Sequence, residues 1–141
     1  MGTHGLLGFI IFGQRHAAYN HWDSYPQGLG EEIINFILSL KPEDYATMAR
    51  LVAEITWVDS ESRPSPELQE YYQKLGFSST RVSKQTTEEW YCLLREMQGA
   101  AALPAIQSGQ LKHMEESRKF PINKIVLLVL SADFTDSHER C

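Results

Sequence analysis

The stretch LLGFIIFGQRHAAYN, residues 6–20, decides the fold, because it predicts a β-hairpin near the start of the chain. Residues 6–12 are apolar and rich in β-forming side chains, and residues 16–20 form a second extended run. Between them, Gly13 and Gln14 fit a two-residue hairpin loop with glycine in the first position. The first run does not alternate apolar with polar residues, which indicates that both of its faces are covered.

Three helices are predicted after the hairpin, over residues 31–40, 42–56 and 65–75, and the first two segments have the periodicity of amphipathic helices. Each carries a start or stop signal: two glutamates in the first turn, Pro42 at a helix start, and Ser65-Pro66 before the third helix with Gly76 after it. The buried stripe of the first helix is predicted to comprise Ile33, Ile34, Ile37 and Leu38, widened by Phe36 and Leu40.

Further along the chain, Thr86 and Glu89 form a capping box for another helix, which Gly99 ends. We expect one more short helix over residues 111–118. The apolar run 125–130 is expected to be a buried strand, although the other clear strands lie near the N-terminus.

These elements predict an α+β fold, with a small antiparallel sheet that contains the N-terminal β-hairpin and packs against three to four helices. Residues 1–130 are expected to form a single globular domain, followed by a polar C-terminal tail over residues 131–141.

The composition is that of an ordinary globular protein. The chain has 141 residues, of which 43% are hydrophobic and 22% charged, and its formal net charge is −5. No segment has the basic surplus of a nucleic-acid-binding surface, and no apolar run approaches the roughly 20 residues that span a bilayer. Two cysteines, Cys92 and Cys141, fit a reducing cytoplasmic location. We therefore expect no nucleic-acid partner, no membrane partner and no cofactor.

The loop from Asn20 to Gly30 is the candidate site, because polar and aromatic side chains crowd a segment held between a hairpin and a helix. If Gly13 and Gln14 form the turn, Gly8 faces Tyr19 and His4 faces Asp23 across the hairpin. Such a pair, with His21 on the same face, would suit acid–base chemistry or begin a metal site. The alternative is a structural role, since Asp and Ser also cap turns. The candidate catalytic residues are His4, His21 and Asp23, and the candidate ligand-binding residues are Asn20, Ser24 and Tyr25.

Three pieces of the N-terminal region resemble a largely fungal family of uncharacterised proteins: Gly5-Leu6-Leu7-Gly8-Phe9, the block from Tyr19 to Pro26, and Gly28-Leu29-Gly30. Where that family has Cys at position 2, its opening resembles N-terminal nucleophile hydrolases and class II amidotransferases. Those enzymes attack with a terminal Cys, Ser or Thr whose own amine serves as base. The resemblance implies acyl-transfer chemistry, but this chain departs from the pattern with Gly2, which carries no nucleophile.

Two functions follow as expectations. The first is a small-molecule enzyme or ligand-binding protein with its site at the Asn20–Gly30 loop. The alternative is a non-catalytic interaction module, a degenerate relative of the N-terminal nucleophile hydrolases, which could form a homo-oligomer through an unpaired strand at residues 125–130.

Overall fold

The N-terminal hairpin is the first element of the computed structural model, which describes residues 5–21, 26–79, 87–117 and 126–127. Strands β1 (Gly5–Ile11) and β2 (Gln14–Asn20) pair antiparallel. Phe12 (φ 50°) and Gly13 (φ 80°) form the turn, and two consecutive positive φ angles are the mark of a type I′ hairpin turn.

This turn lies one residue earlier than the sequence predicted. A glycine-first loop was expected, whereas the type I′ turn places Gly13 second and makes Phe12 adopt the left-handed conformation. Gly8 therefore faces Ala17, and the prediction that it faces Tyr19 is wrong. The register used to place His4 opposite Asp23 is wrong for the same reason, and both of these residues lie outside the described ranges.

The first three helices lie close to their predicted positions. They are α1 (Glu31–Ser39), α2 (Pro42–Ala53) and α3 (Pro66–Lys74). The capping signals of α3 act as predicted, since the Ser65 hydroxyl accepts a hydrogen bond from the Leu68 N–H at 3.2 Å. Gly76, with φ 78°, follows the end of the helix.

The later helices differ from the predictions. Helix α4 (Trp90–Leu93) begins directly after Glu89, whose side chain makes no capping hydrogen bond to it. The capping box predicted for Thr86 and Glu89 stays a prediction, because Thr86 lies outside the described residues. A 3-10 turn (Arg95–Met97) and another (Gly99–Ala101) lead into α5 (Ala102–Gln107). Helix α5 was not predicted, because Pro104 interrupts its sequence pattern.

Two short strands also replace predicted helix. Strand β3 (Thr56–Val58) begins where α2 was expected to end, and β4 (His113–Glu115) occupies the segment predicted as a helix over residues 111–118. They pair in parallel, with Trp57 opposite Met114. Strands of three residues carry too little periodicity to be recognised, and tertiary contact decides their conformation.

The hairpin also pairs with the late strand. Strand β5 (Val126–Leu127) lies parallel to β1, which gives a three-stranded sheet in the order β2-β1-β5. The predicted strand therefore has a partner in β1 at these two residues. The α+β class is confirmed, with both sheets containing parallel pairs.

The core lies between one face of the hairpin and the helices. Its hairpin residues are Leu7, Phe9 and Ile11, and its helical residues include Met48, Val52, Tyr72, Leu93 and Leu103. Helix α1 contributes Ile33 fully, whereas Ile34 and Leu38 are 56% and 76% exposed. The prediction that these two are buried is wrong, because α1 packs only along the 33, 36, 37 and 40 positions.

The end of β2 packs tightly against the turn before α5. Asn20 is 5% exposed, and Gly99 has φ 68°. A Cβ atom built on Gly99 would lie 2.7 Å from the Asn20 Oδ1 atom, which is closer than real contacts allow. Glycine at position 99 therefore meets both a backbone and a packing requirement.

Replacement of Gly99 by Ala should be more destabilising than the same change at Gly109, which has φ 82° but nothing within 4 Å of a built Cβ. We expect Gly109→Ala to cost about 1–2 kcal/mol for the left-handed backbone. Gly99→Ala should cost roughly 1–3 kcal/mol more, because the methyl group overpacks the Asn20 contact. Urea denaturation measures both. In an Asn20→Ala background the extra cost should disappear, and an unchanged difference would contradict this explanation.

Candidate functional site

An open cleft lies between β2, α4 and β4. Strand β4 supplies two polar side chains to its wall, His113 and Glu115, because residues two apart in a strand face the same side. Met114 between them is 4% exposed and belongs to the core, and it also borders the cleft. The remaining wall is largely apolar and aromatic, and includes Ala18, Tyr19, Trp90, Tyr91, Leu94 and Met97.

Tyr72 holds the His113 ring in place. The Tyr72 hydroxyl lies 2.7 Å from His113 Nδ1 and accepts a hydrogen bond from the Lys112 N–H at 3.0 Å. Because Tyr72 is fully buried, its single hydroxyl proton needs an acceptor, and Nδ1 is the acceptor within reach. We therefore assign His113 the tautomer with its proton on Nε2.

The surroundings of His113 favour the neutral imidazole. Burial lowers the pKa of His113, and the nearby Lys112 ammonium lowers it further. The Trp90 ring stacks on the imidazole, with 5.4 Å between ring centroids and a 23° angle between the planes. Burial also raises the pKa of Tyr72 to about 12, so the phenol keeps its proton and remains a donor at neutral pH.

The pKa of Glu115 is shifted in the opposite direction to that of His113. Burial raises the pKa of the Glu115 carboxyl, and the carboxylates of Glu89 and Asp59 raise it further. The wall formed by β4 thus carries a histidine that is harder to protonate, and a glutamate that is harder to ionise, than the same groups in water. Opposite shifts within one cleft are typical of functional sites, although buried structural groups also produce them.

The rim of the cleft is formed by the end of β2 and the residues after α4. The Tyr19 hydroxyl lies 2.9 Å from His21 Nδ1, and the His21 N–H donates to the Gln98 Oε1 atom at 2.9 Å. On the other side, the Arg95 guanidinium lies 5.5 Å from the Tyr91 ring centroid. His21 is therefore connected to the cleft through two residues that line it, Tyr19 and Gln98.

The residues predicted from the hairpin loop are placed as follows. Asn20 is buried against Gly99, and His21 lies at the rim. The other four, His4, Asp23, Ser24 and Tyr25, lie outside the described residues, so their predicted roles remain predictions.

The structure contains a histidine–carboxylate pair at another place, between His16 and Glu116. His16 Nδ1 lies 2.8 Å from Glu116 Oε1, and Glu116 Oε2 accepts the Ala17 N–H at 3.0 Å. The Trp57 ring stacks on His16 at 5.0 Å. Since the Ser117 N–H also donates to the Ala17 carbonyl at 2.8 Å, the pair joins β2 to the residues after β4.

Neither a metal site nor a nucleophilic cysteine is found in the described part of the chain. That part contains no group of three or more His, Cys, Asp or Glu side chains that could hold a metal ion. Cys92 is buried. Burial raises the pKa of its thiol, and the Glu89 carboxylate raises it further, so formation of a nucleophilic thiolate is disfavoured. Within the same ranges, no helix has the length and apolar character needed to cross a membrane.

Sequence reasoning missed His113 and Glu115. The signal was the spacing His-x-Glu, which places both side chains on one face only if the segment is a strand. Read as a helix, the same two residues point in different directions.

Comparison with known proteins adds no assignment: no family model, no curated protein and no solved structure matches this chain. The cleft and its side chains are thus the basis for a functional proposal.

The two pKa shifts predict opposite effects of pH on stability. The unfolded chain protonates His113 at a higher pH than the folded protein does, so this residue lowers the free energy of unfolding as pH falls below about 6.5. The folded protein keeps the proton of Glu115 to a higher pH than the unfolded chain does. Its contribution is therefore most favourable at acid pH and is lost as pH rises through the raised pKa.

Urea denaturation between pH 4.5 and 7.5 tests both signs. Relative to the wild type, Glu115→Gln should become more stable as pH rises, and His113→Asn should become more stable as pH falls. Asn retains an acceptor for Tyr72 but cannot titrate. Glu70→Gln, which removes an exposed carboxylate of α3 paired with Lys74, is the control for loss of one charge. Parallel curves for Glu115→Gln and Glu70→Gln would contradict the assigned burial of Glu115.

Proposed function

We propose that this protein binds a small organic molecule in the cleft between β2, α4 and β4, and that His113 and Glu115 exchange hydrogen bonds or protons with it. The observation that carries the proposal is that these two groups line the cleft from one strand, with pKa values displaced in opposite directions. The apolar lining and the few polar groups are typical of ligand pockets.

The chemistry available to the site follows from the tautomer. With Nδ1 engaged by Tyr72, His113 offers an Nε2–H donor, and Glu115 offers a carboxylate acceptor. Their Cα atoms are two strand residues apart, which is roughly 6.6 Å. A ligand with an acceptor and a donor at that separation would satisfy both. Because Tyr72 orients the ring without touching the cleft, it acts as a positioning residue.

Protein-observed NMR with small neutral aromatic probes, such as benzyl alcohol and benzamide, tests the proposal. We expect both probes to shift the signals of Met97, Met114 and Tyr91 in the wild type and in Glu70→Gln. His113→Asn should weaken the binding of benzamide about tenfold, which corresponds to about 1.4 kcal/mol, because the amide oxygen loses the Nε2–H donor. Shifts spread over the surface, with none at the cleft, would contradict the proposal.

The alternative function, a non-catalytic module that forms homo-oligomers, is favoured by one observation. Ile34 and Leu38, four residues apart on α1, are exposed on the same side of that helix. Analytical ultracentrifugation distinguishes it: a dimer that Leu38→Ser weakens at least tenfold supports this function, and a monomer at 100 µM rejects it.

Descent from the N-terminal nucleophile hydrolases stays a prediction, since residues 1–4 are outside the described part. A cytoplasmic location is likewise proposed from the cysteine content alone.

A further inference from the structure

We infer that the ligand of the cleft is a small amine in its ammonium form, held by the Glu115 carboxylate with its apolar part against the aromatic wall. This inference rests on the proposed function of the cleft and names the class of ligand. It combines three observations, namely the charges around Glu115, the rings that line the cleft and the neutral state of His113.

The charges that act on Glu115 are negative. The neighbouring charged groups that alter its ionisation are the carboxylates of Glu89 and Asp59. Among the residues that the structure describes, no Lys, Arg or His forms a salt bridge with Glu115. A half-buried carboxylate among like charges attracts a cation and repels an anion.

The basic side chains that the structure describes near the cleft make contacts with groups other than Glu115. Arg63 pairs with Glu89 at 3.4 Å, and the Lys112 ammonium lies 5.9 Å from the Tyr71 ring centroid. Arg95 lies over the Tyr91 ring. Among the described residues these contacts leave Glu115 without a cationic partner, and a cationic ligand would balance its charge. The Arg95–Tyr91 contact also shows that a ring of this wall attracts a cation.

The wall opposite β4 suits the rest of such a ligand. Tyr19, Trp90 and Tyr91 present aromatic surface to the cleft, and Leu94 and Met97 add apolar surface. Aromatic faces attract ammonium groups through their negative π-electron density, and they also pack against a hydrocarbon or a second ring. An aromatic or alkyl amine thus matches both parts of the lining.

His113 does not oppose a cation. Its lowered pKa keeps the imidazole neutral around pH 7, so a bound ammonium meets no positive charge from that residue. Binding is linked to the ionisation of Glu115, because the ammonium interacts with the carboxylate form only. Affinity should therefore rise with pH as Glu115 loses its proton, while the amine remains protonated.

Three probes that share one ring and differ in charge test the inference: benzylamine, benzyl alcohol and benzoate. NMR titration of the full chain at pH 7 should give binding of benzylamine at least tenfold tighter than that of benzyl alcohol, with benzoate weakest. Glu115→Gln should weaken benzylamine at least tenfold and change benzyl alcohol less than twofold. The matched control Glu70→Gln should leave all three affinities within twofold.

The pH series separates a specific ion pair from general attraction to an acidic protein. Benzylamine affinity should rise between pH 5 and pH 7.5 in the wild type and stay level in Glu115→Gln. Equal affinities for benzylamine and benzyl alcohol at the cleft would overturn the ammonium inference and leave the proposed binding site intact. Benzylamine binding that Glu115→Gln does not weaken would also overturn it. If none of the three probes shifts the cleft signals at 10 mM, the proposed site and this inference both fail.

Discussion

A strand of three residues cannot hold itself in place, and the candidate site depends on how β4 is fixed at its two ends. At one end, the buried Tyr72 hydroxyl accepts the Lys112 N–H, and the Thr56 N–H donates to the Lys112 carbonyl at 2.9 Å. At the other end, the Glu116 carboxylate accepts the Ala17 N–H and contacts His16. A hydrogen bond to a charged group, such as the one from the Ala17 N–H to Glu116, contributes about 1.5–3 kcal/mol, more than a typical neutral hydrogen bond. The strand is thereby fixed against α3, β3 and β2 together.

Fixing β4 in this way has an electrostatic consequence. Its alternation sends Met114 into the core and keeps His113 and Glu115 in the half-buried cleft, where both groups lose solvation. Partial burial of a carboxylate near Glu89 and Asp59 opposes folding at neutral pH. Folds commonly retain such unfavourable groups at functional sites, where the energy is recovered on binding.

Local signals predicted much of the fold. The hairpin and the first three helices are encoded by neighbouring residues. Pro42, Ser65 and Gly76 act within one turn of the backbone, so their effects can be predicted from the sequence alone. The hairpin register was harder to predict from the sequence, because the type I′ turn puts Phe12 at positive φ, a conformation that a Phe rarely adopts. A turn displaced by one residue moves every cross-strand partner by two, which removed the basis for pairing His4 with Asp23.

By itself, the sequence determined the α+β class, the existence of the hairpin, the extents of α1 to α3 and the absence of a basic or strongly apolar segment. Only the tertiary structure decided that residues 113–115 are a strand, that β5 pairs with β1, and that Asn20 needs Gly99 beside it. The physical reason is the distance along the chain over which each interaction acts. Helix caps and periodicity act over a few residues, whereas Tyr72 and His113, or Ala17 and Glu116, meet across 41 and 99 positions of the chain.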